Sequence, residues 1–487
     1  MSIKQKAIKG VVWSAIQSWG SQAGSLIVFL VLARLLSPEA FGLVALANIF
    51  LAFMQIFLNQ GFAQVIVQRQ NLEPEHLDTA FWTNLAIGIL LTVLGLTTAD
   101  RVAALFSQPQ LTPIVQGFSL LFLVTSFGNI QQALLERNLA FRAIAIRWLV
   151  GTLAGGCVGV IMAVYGFGVW SLVSQQLVQD LVGTLILWVA SDWRPRFKAS
   201  LKHFQQLCSF GISILGFNLL NFLNTRADDF LIGYFLGSVA LGYYTIAYRI
   251  LGVMTQLLVN TSNQVALPTF SRLQEEPELF RKVFYTATQL TSLVAFPTFL
   301  GVATLAPELV VLLFGNQWLP SIPVLQILCF AGMLRAINFF KGSVFIAMGK
   351  PAWTLWFGLL NTAVNLVGFA ISVQWGIVAV ASAYAIRGYL IFPINQWAVS
   401  RLIKTPMLTY LSQFTAPLVS SLVMAGFILG SKQLLQNLLN SQALLVVCIL
   451  LGAITYSLSI RLLSPKLFKK LLGILHLALS KTKSQGA

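Results

Sequence analysis

Charge is what this sequence has least of: of its 487 residues only 9% are Asp, Glu, Lys or Arg. Soluble globular domains carry about 25% charged residues to solvate their surfaces, so a soluble protein is excluded. Acids are scarcer than bases, with 14 Asp and Glu against 31 Lys and Arg, for a net charge of +17. In a soluble chain that imbalance points to nucleic acid. Here the bases sit mostly in short segments between long apolar runs, where they set membrane orientation, and a nucleic-acid partner is set aside. Cys157, Cys208, Cys329 and Cys448 are far apart, inside apolar runs, with no CxxC pair and no neighbouring histidine. They read as small buried hydrophobes, not disulfides or metal ligands. His76, His203 and His476 fall in loop or tail positions and cannot assemble an HExxH motif, an imidazole cluster or a catalytic triad. Gly349-Lys350 is followed by Pro351 and lacks the upstream glycine of a phosphate-binding loop. Soluble-enzyme chemistry has nothing to stand on, and no metal or organic cofactor is expected.

What is present is apolar: 57% hydrophobic residues and a mean hydropathy of +0.81. A spanning helix takes about 20 mostly apolar residues. Such runs occur near 10–33, 41–64, 79–99, 111–134, 143–165, 168–190, 205–225, 238–263, 283–305, 320–346, 352–373, 376–400, 408–431 and 441–463. The expectation is an all-α polytopic membrane protein of about 14 transmembrane helices. The first run follows Lys4, Lys6 and Lys9 but is interrupted by Gln17, Ser18, Ser21 and Gln22 and has no A-x-A site, so it reads as an uncleaved first helix. With both termini cytoplasmic, the inside loops hold Arg69, Arg137, Arg142, Arg194, Arg196, Lys198, Arg272, Arg281, Lys350, Arg401 and Lys404 among others. The outside loops hold only Arg34, Arg101, Arg226 and Lys432, which is the positive-inside bias. Residues 464–487, with Lys466, Lys469 and Lys470 beside Leu467, Phe468, Leu471, Leu472 and Leu475, have the pattern of a basic amphipathic tail on membrane lipids, with solvated disorder as the alternative.

The chain also repeats itself. An offset of 200 pairs Leu36 with Leu236, Ala40 with Ala240, Gly42 with Gly242, Ala47 with Ala247, Leu51 with Leu251 and Met54 with Met254. Glu73-Pro74-Glu75 meets Glu276-Pro277-Glu278 with a small shift. Six helices per repeat is an even number, so the expectation is two parallel six-helix bundles, residues 1–200 and 201–404, related by a pseudo-two-fold axis along the membrane normal with a substrate path between them. Two further helices follow at 405–463.

An Arg or Lys at the centre of a spanning helix costs about 2.5–3.5 kcal/mol, so such cations face protein or a wet cavity. Arg249 in the eighth run, Arg335 and Lys341 in the tenth and Arg387 in the twelfth stand out. Arg335, Asn338 and Lys341 are spaced i, i+3, i+6 and form a polar ladder with several donors. The alternative for each cation is snorkelling to an interface or satisfying backbone carbonyls. The first bundle carries neutral stripes instead: Asn48, Gln55 and Asn59 on one face of the second run, and Gln176, Asp180 and Thr184 on one face of the sixth. Asp180 reads as the only acid deep in a span. A lone carboxylate there can exchange a proton or hold a cation, which makes Asp180 with Gln176 the coupling-ion candidates; a packing or ion-pairing acid is the alternative. Asn361 and Asn365 read as interhelical glue or cavity lining, and Gly151, Gly155 and Gly159 as close helix packing.

Several segments together resemble a known family. Ala33-Arg34-Leu35-Leu36-Ser37-Pro38-Glu39-Ala40-Phe41-Gly42, the Gly61-Phe62 ending the second run, Tyr165-Gly166-Phe167-Gly168-Val169-Trp170, and Met348-Gly349-Lys350 leading to Asn361, Asn365 and Trp375-Gly376 look like Wzx-type polysaccharide transporters of the MOP flippase superfamily. The resemblance implies a V-shaped pair of six-helix bundles around a central cavity. It implies alternating access, coupling to an H+ or Na+ gradient, and flipping of undecaprenyl-pyrophosphate-linked oligosaccharide repeat units across the bacterial inner (plasma) membrane for O-antigen or exopolysaccharide export, alongside polysaccharide polymerase machinery. The interior cations Arg249, Arg335, Lys341 and Arg387, with Asn338, suit a pyrophosphate head group, since Arg and Lys pair well with its charges away from water. A multidrug and toxin extruder of the same superfamily should show an acidic cavity; a lipid II flippase would share the helix number and the cations. A membrane-embedded polysaccharide polymerase or ligase needs a large outer loop, and every outer loop expected here is short.

Overall fold

The apolar runs fold as helices because hydrocarbon offers the backbone no hydrogen-bond partner, so each segment must satisfy its own N–H and C=O groups. The computed structural model describes residues 20, 22–59, 61–69, 72–198, 200–256, 258 and 261–469, the side chains of 201–215, 217 and 261–265 aside. Among these residues there is no strand, and twelve helices are long and apolar enough to cross a membrane. The protein is thus an all-α polytopic membrane protein.

The first expected run is described only from its second half, as α1 (Gln22–Leu35); its preceding lysines, and the basic tail from residue 470 on, lie outside the described residues. Helix α2 (Pro38–Leu58) starts where Ser37 accepts a hydrogen bond from the Ala40 amide at 3.3 Å, with Pro38 in the first turn. Gly61, at φ 84°, ends that run and opens the short α3 (Phe62–Gln68). Then come α4 (Pro74–Leu105), α5 (Leu111–Arg137), α6 (Phe141–Val164) and α7 (Trp170–Ala190). The runs expected at 205–225 and 238–263 form α8 (Leu201–Thr255), interrupted at Gly237, whose φ of 82° is left-handed. The second half of the chain holds α9 (Thr261–Arg272), α10 (Pro277–Thr304), α11 (Ala306–Phe314), α12 (Ser321–Asn338), α13 (Lys341–Ala347), α14 (Pro351–Ser372), α15 (Ile377–Ile403), α16 (Met407–Leu435) and α17 (Ser441–Leu463).

The chain divides into two compact units, Met1–Thr245 and Ile246–Ala487, a division by packing that is a different property from the sequence repeat. In unit 1, Phe62, Ile66, Leu77, Phe81 and Ile130 form a core with Trp82, Trp188 and Trp193 against it. Lipid is as apolar as these side chains, so this packing rests on van der Waals fit and hydrogen bonds more than on water exclusion. Small residues provide the fit: a Cβ on Gly155 of α6 would lie 2.4 Å from the Gln175 carbonyl oxygen of α7. The start of α2 meets α8 just after its break. A Cβ on Gly42 would lie 1.7 Å from the Ser238 carbonyl oxygen, and one on Gly242 would lie 2.0 Å from the Pro38 carbonyl oxygen. Residue 42 pairs with 242 and 38 with 238 at the offset of 200, so the two contacts are reciprocal. The segment that follows α7 is tied to α4: the Trp82 indole donates to the Arg196 carbonyl at 2.8 Å, and the Arg196 amide donates to Asp78 at 2.9 Å. In unit 2, Phe284 stacks on Tyr410 with ring centroids 5.5 Å apart, and the Tyr410 and Tyr456 hydroxyls donate to the Ile337 and Leu293 carbonyls at 2.6 Å.

Candidate functional site

Unit 2 contains a cavity of about 150 Å³ whose lining includes Arg335, Asn338, Lys341, Asn361, Arg387 and Asn395, and none of the lining residues is acidic. Helix α12 supplies Arg335 and Asn338, and α13 begins at Lys341. The ladder expected on one helix is therefore interrupted: the chain turns at Phe339 and Phe340, and Lys341 opens a new helix while still lining the same cavity. Neutral side chains contact each cation. Arg335 donates to the Tyr248 hydroxyl at 3.2 Å and to the Tyr384 hydroxyl, with its guanidinium 5.8 Å and 5.3 Å from the two ring centres. Lys341 donates to Asn395 Oδ1 at 3.0 Å and sits 5.6 Å from the Phe357 ring centre. Arg387 donates to Asn361 Oδ1 at 3.2 Å and lies 5.0 Å from the Tyr384 ring centre. Among the described residues, neither Arg335 nor Lys341 forms an ion pair. The remaining cation of the expected set, Arg249, is an exposed residue of α8 and does not line this cavity.

Unit 1 holds two cavities along α2 and α5, which pack together. One, of about 280 Å³, is lined by Asn48 and Gln55 of α2, Thr125 of α5, Gln176 and Asp180 of α7, and Arg226 of α8. The other, of about 210 Å³, is lined by Asn59, Gln64, Asn84, Asn129, Gln132 and Glu136, with apolar neighbours. The polar stripe expected on the second run is thus shared, Asn48 and Gln55 facing one cavity and Asn59 the other. Gln176 and Asp180 join the first, while Thr184 is buried at a helix contact, donating to the Val124 carbonyl at 3.3 Å. Of the pair read as glue or lining, Asn361 lines the unit 2 cavity and Asn365 is buried.

Three groups escaped sequence reasoning. Arg147 of α6 donates to Gln132 Oε1, and Gln132 donates to Glu136 Oε1 at 2.9 Å; the Arg147 charge acts on both Asp180 and Glu136. Its signal was visible, since Arg147 lies inside the fifth apolar run. Asp228 and Asp229 lie within α8, Asp228 only 4% exposed and accepting from the Tyr244 hydroxyl at 2.8 Å. Asp180 is therefore not the only acid deep in a helix, because α8 continues through the stretch expected as an outer loop. Arg226, expected in the same loop, lines a cavity and pairs with Asp229 at 3.1 Å.

A family model described as polysaccharide biosynthesis protein matches residues 31–323. The succinoglycan biosynthesis transport protein ExoT of Rhizobium meliloti (strain 1021) is 28% identical over 482 residues, covering 96% of this chain and 95% of that one. The lipopolysaccharide biosynthesis protein WzxC of Escherichia coli (strain K12) is 28% identical over 376 residues, covering 77% and 76%. Among solved structures, the lipid II flippase MurJ in an inward closed conformation has the same fold, with a TM-score of 0.77 and 15% identity over 94% of this chain and 99% of that one. With the family match spanning more than half the chain and the fold agreeing over nearly all of it, this chain belongs to the polysaccharide biosynthesis protein family and is a multi-pass membrane transporter with the flippase fold, not an enzyme.

Proposed function

We propose that this transporter flips undecaprenyl-pyrophosphate-linked oligosaccharide repeat units across the inner membrane by alternating access, with both termini in the cytoplasm. The observation that carries the reading is the unit 2 cavity, where Arg335, Lys341 and Arg387 line one space that no acid lines. Cations sequestered from water interact far more strongly with a phosphate than exposed ones do, and Arg adds a planar donor fork that matches phosphate oxygens. Pyrophosphate binding there is the role assigned to Arg335, Asn338, Lys341 and Arg387. An organic-cation exporter would face unfavourable charge in the same space. Coupling to H+ or Na+ is part of the proposal, with Asp180 and Gln176 in unit 1 as the exchanging groups. In proteoliposomes, a fluorescent undecaprenyl-pyrophosphate oligosaccharide should move between leaflets while an organic cation such as ethidium does not. Lys341→Met should slow the lipid by about tenfold or more, the equivalent of one hydrogen bond to a charged group. Ethidium efflux without lipid movement would refute the flippase reading, and lipid movement unaffected by Lys341→Met would refute the head-group assignment.

A further inference from the structure

The polar surface of unit 1 is of a different chemistry from that of unit 2. Helix α2 presents Asn48, Gln55 and Asn59 to the two cavities in turn, and α5 presents Thr125, Asn129, Gln132 and Glu136. The cavities therefore follow successive turns of the same two packed helices. At 1.5 Å per residue, Asn48 to Asn59 covers about 16 Å and Thr125 to Glu136 a similar length. The lining carboxylates are Glu136 and Asp180; Arg226, in the lining, pairs with Asp229, and Arg147 is bonded to Gln132 at the wall. One further group faces this space without a partner: Asn84 is 3% exposed, and its Oδ1 accepts no hydrogen bond among the described residues.

From these features we infer that the α2–α5 track of unit 1 is a carbohydrate subsite that takes the uncharged, hydroxyl-rich sugars of the substrate. Amide side chains donate and accept at once, which matches a sugar hydroxyl, itself both donor and acceptor. A row of neutral amides serves a chain of hydroxyls with both donors and acceptors, whereas a phosphate could use only the donors. An unmet Asn84 carbonyl at the wall is an acceptor waiting for a donor. Two cavities of about 280 and 210 Å³ spread along about 16 Å of these helices have room for more than one sugar ring. The inference rests on the lipid-linked saccharide reading above and names which part of that substrate unit 1 holds.

The test uses the full-length protein in nanodiscs and a synthetic ladder of undecaprenyl pyrophosphates bearing no sugar, one glucose or a neutral tetrasaccharide. Wild type should bind the tetrasaccharide lipid about tenfold more tightly than the bare lipid, the yield of roughly two ordinary hydrogen bonds. Gln55→Leu combined with Asn129→Leu should erase that difference and leave bare-lipid affinity unchanged. Thr125→Val, close to isosteric, should narrow it in a protein whose thermal stability matches wild type. A wild type that does not distinguish the ladder overturns the subsite, and so do variants that weaken bare and glycosylated lipids equally. Variants that alter ²²Na+ flux but keep the sugar preference overturn it as well. The head-group reading is scored separately, by the effect of Lys341→Met on the bare lipid.

Discussion

The crossing of α2 and α8 in unit 1 gives a quantitative prediction. Gly42→Ala places a Cβ 1.7 Å from the Ser238 carbonyl oxygen, and no real Cβ stands closer than about 3.0 Å to such an atom. The obstructing atom is backbone, so no rotamer change relieves the clash; the helices must part. Overpacking of this kind costs about 1–3 kcal/mol, and a rigid neighbour puts Gly42→Ala near 3 kcal/mol. Unfolding entropy of about 2.1 cal/mol/K per residue over this length converts that into a melting temperature lower by roughly 3 °C. Gly242→Ala, whose Cβ would lie 2.0 Å from the Pro38 carbonyl oxygen, should cost about as much. The double variant should cost less than the two together, because the displacement that admits one methyl also admits the other. The control is Gly426→Ala in α16, where the added Cβ meets nothing within 4 Å and helix propensity gives a gain of about 0.5–1 kcal/mol. Purified protein in one detergent, melted by intrinsic fluorescence at one scan rate, supplies the comparison. A Gly42→Ala protein that melts no lower than Gly426→Ala would refute the packing argument.

Other perturbations test the remaining sites. Tyr384→Phe keeps the ring beside Arg335 and Arg387 but removes the hydroxyl that accepts from Arg335; it should lower stability by about 1.5–3 kcal/mol, and Tyr384→Leu should lower it further. Equal melting temperatures for the two variants would mean that the ring contacts contribute nothing. Gln131 is fully buried with both amide atoms unpartnered among the described residues, so Gln131→Met should raise thermal stability by about 1 kcal/mol or more; a drop in melting temperature would show that the amide has a partner in the membrane. Lys432 pairs with Glu308 at 2.6 Å, with side chains 22% and 12% exposed. Removing one partner alone, as in Lys432→Met, should cost about 3 kcal/mol, and pairing it with Glu308→Gln should recover part of the loss in a double-mutant cycle. Asp180→Asn should leave lipid binding intact and abolish the response of flipping to imposed pH or Na+ gradients; a response equal to wild type would remove Asp180 from coupling.

Span positions were legible because a membrane helix announces itself as length and hydropathy along one dimension. What that dimension does not carry is rotation about the helix axis. Arg335, Lys341 and Arg387, each inside an apolar run, share a cavity, while Arg249, equally far inside its run, is exposed on α8. Arg147 follows closely on the loop cations Arg137 and Arg142, so its place inside α6, which begins at Phe141, is masked in the sequence. Asp228 and Asp229 were lost because two adjacent acids read as a loop, yet α8 runs through them with Tyr244 as partner. The breaks at Gly61 and at Phe339 and Phe340 interrupt apolar runs whose composition does not change, so hydropathy has no means of marking them.

The company kept by the unit 2 cations bears on turnover. Arg335 and Arg387 share the Tyr384 ring, and Lys341 rests on an asparagine and a phenylalanine. Cation–π contacts contribute about 0.5–2 kcal/mol, much less than a buried ion pair takes to break. A carrier whose cations were clamped by carboxylates would have to exchange one anion for another at each arrival and again at each departure. Cations parked on rings and amides let an incoming phosphate in without an eviction, and nothing pulls it out again except its own dissociation. Inorganic phosphate in the surrounding medium then becomes the natural competitor for these cations.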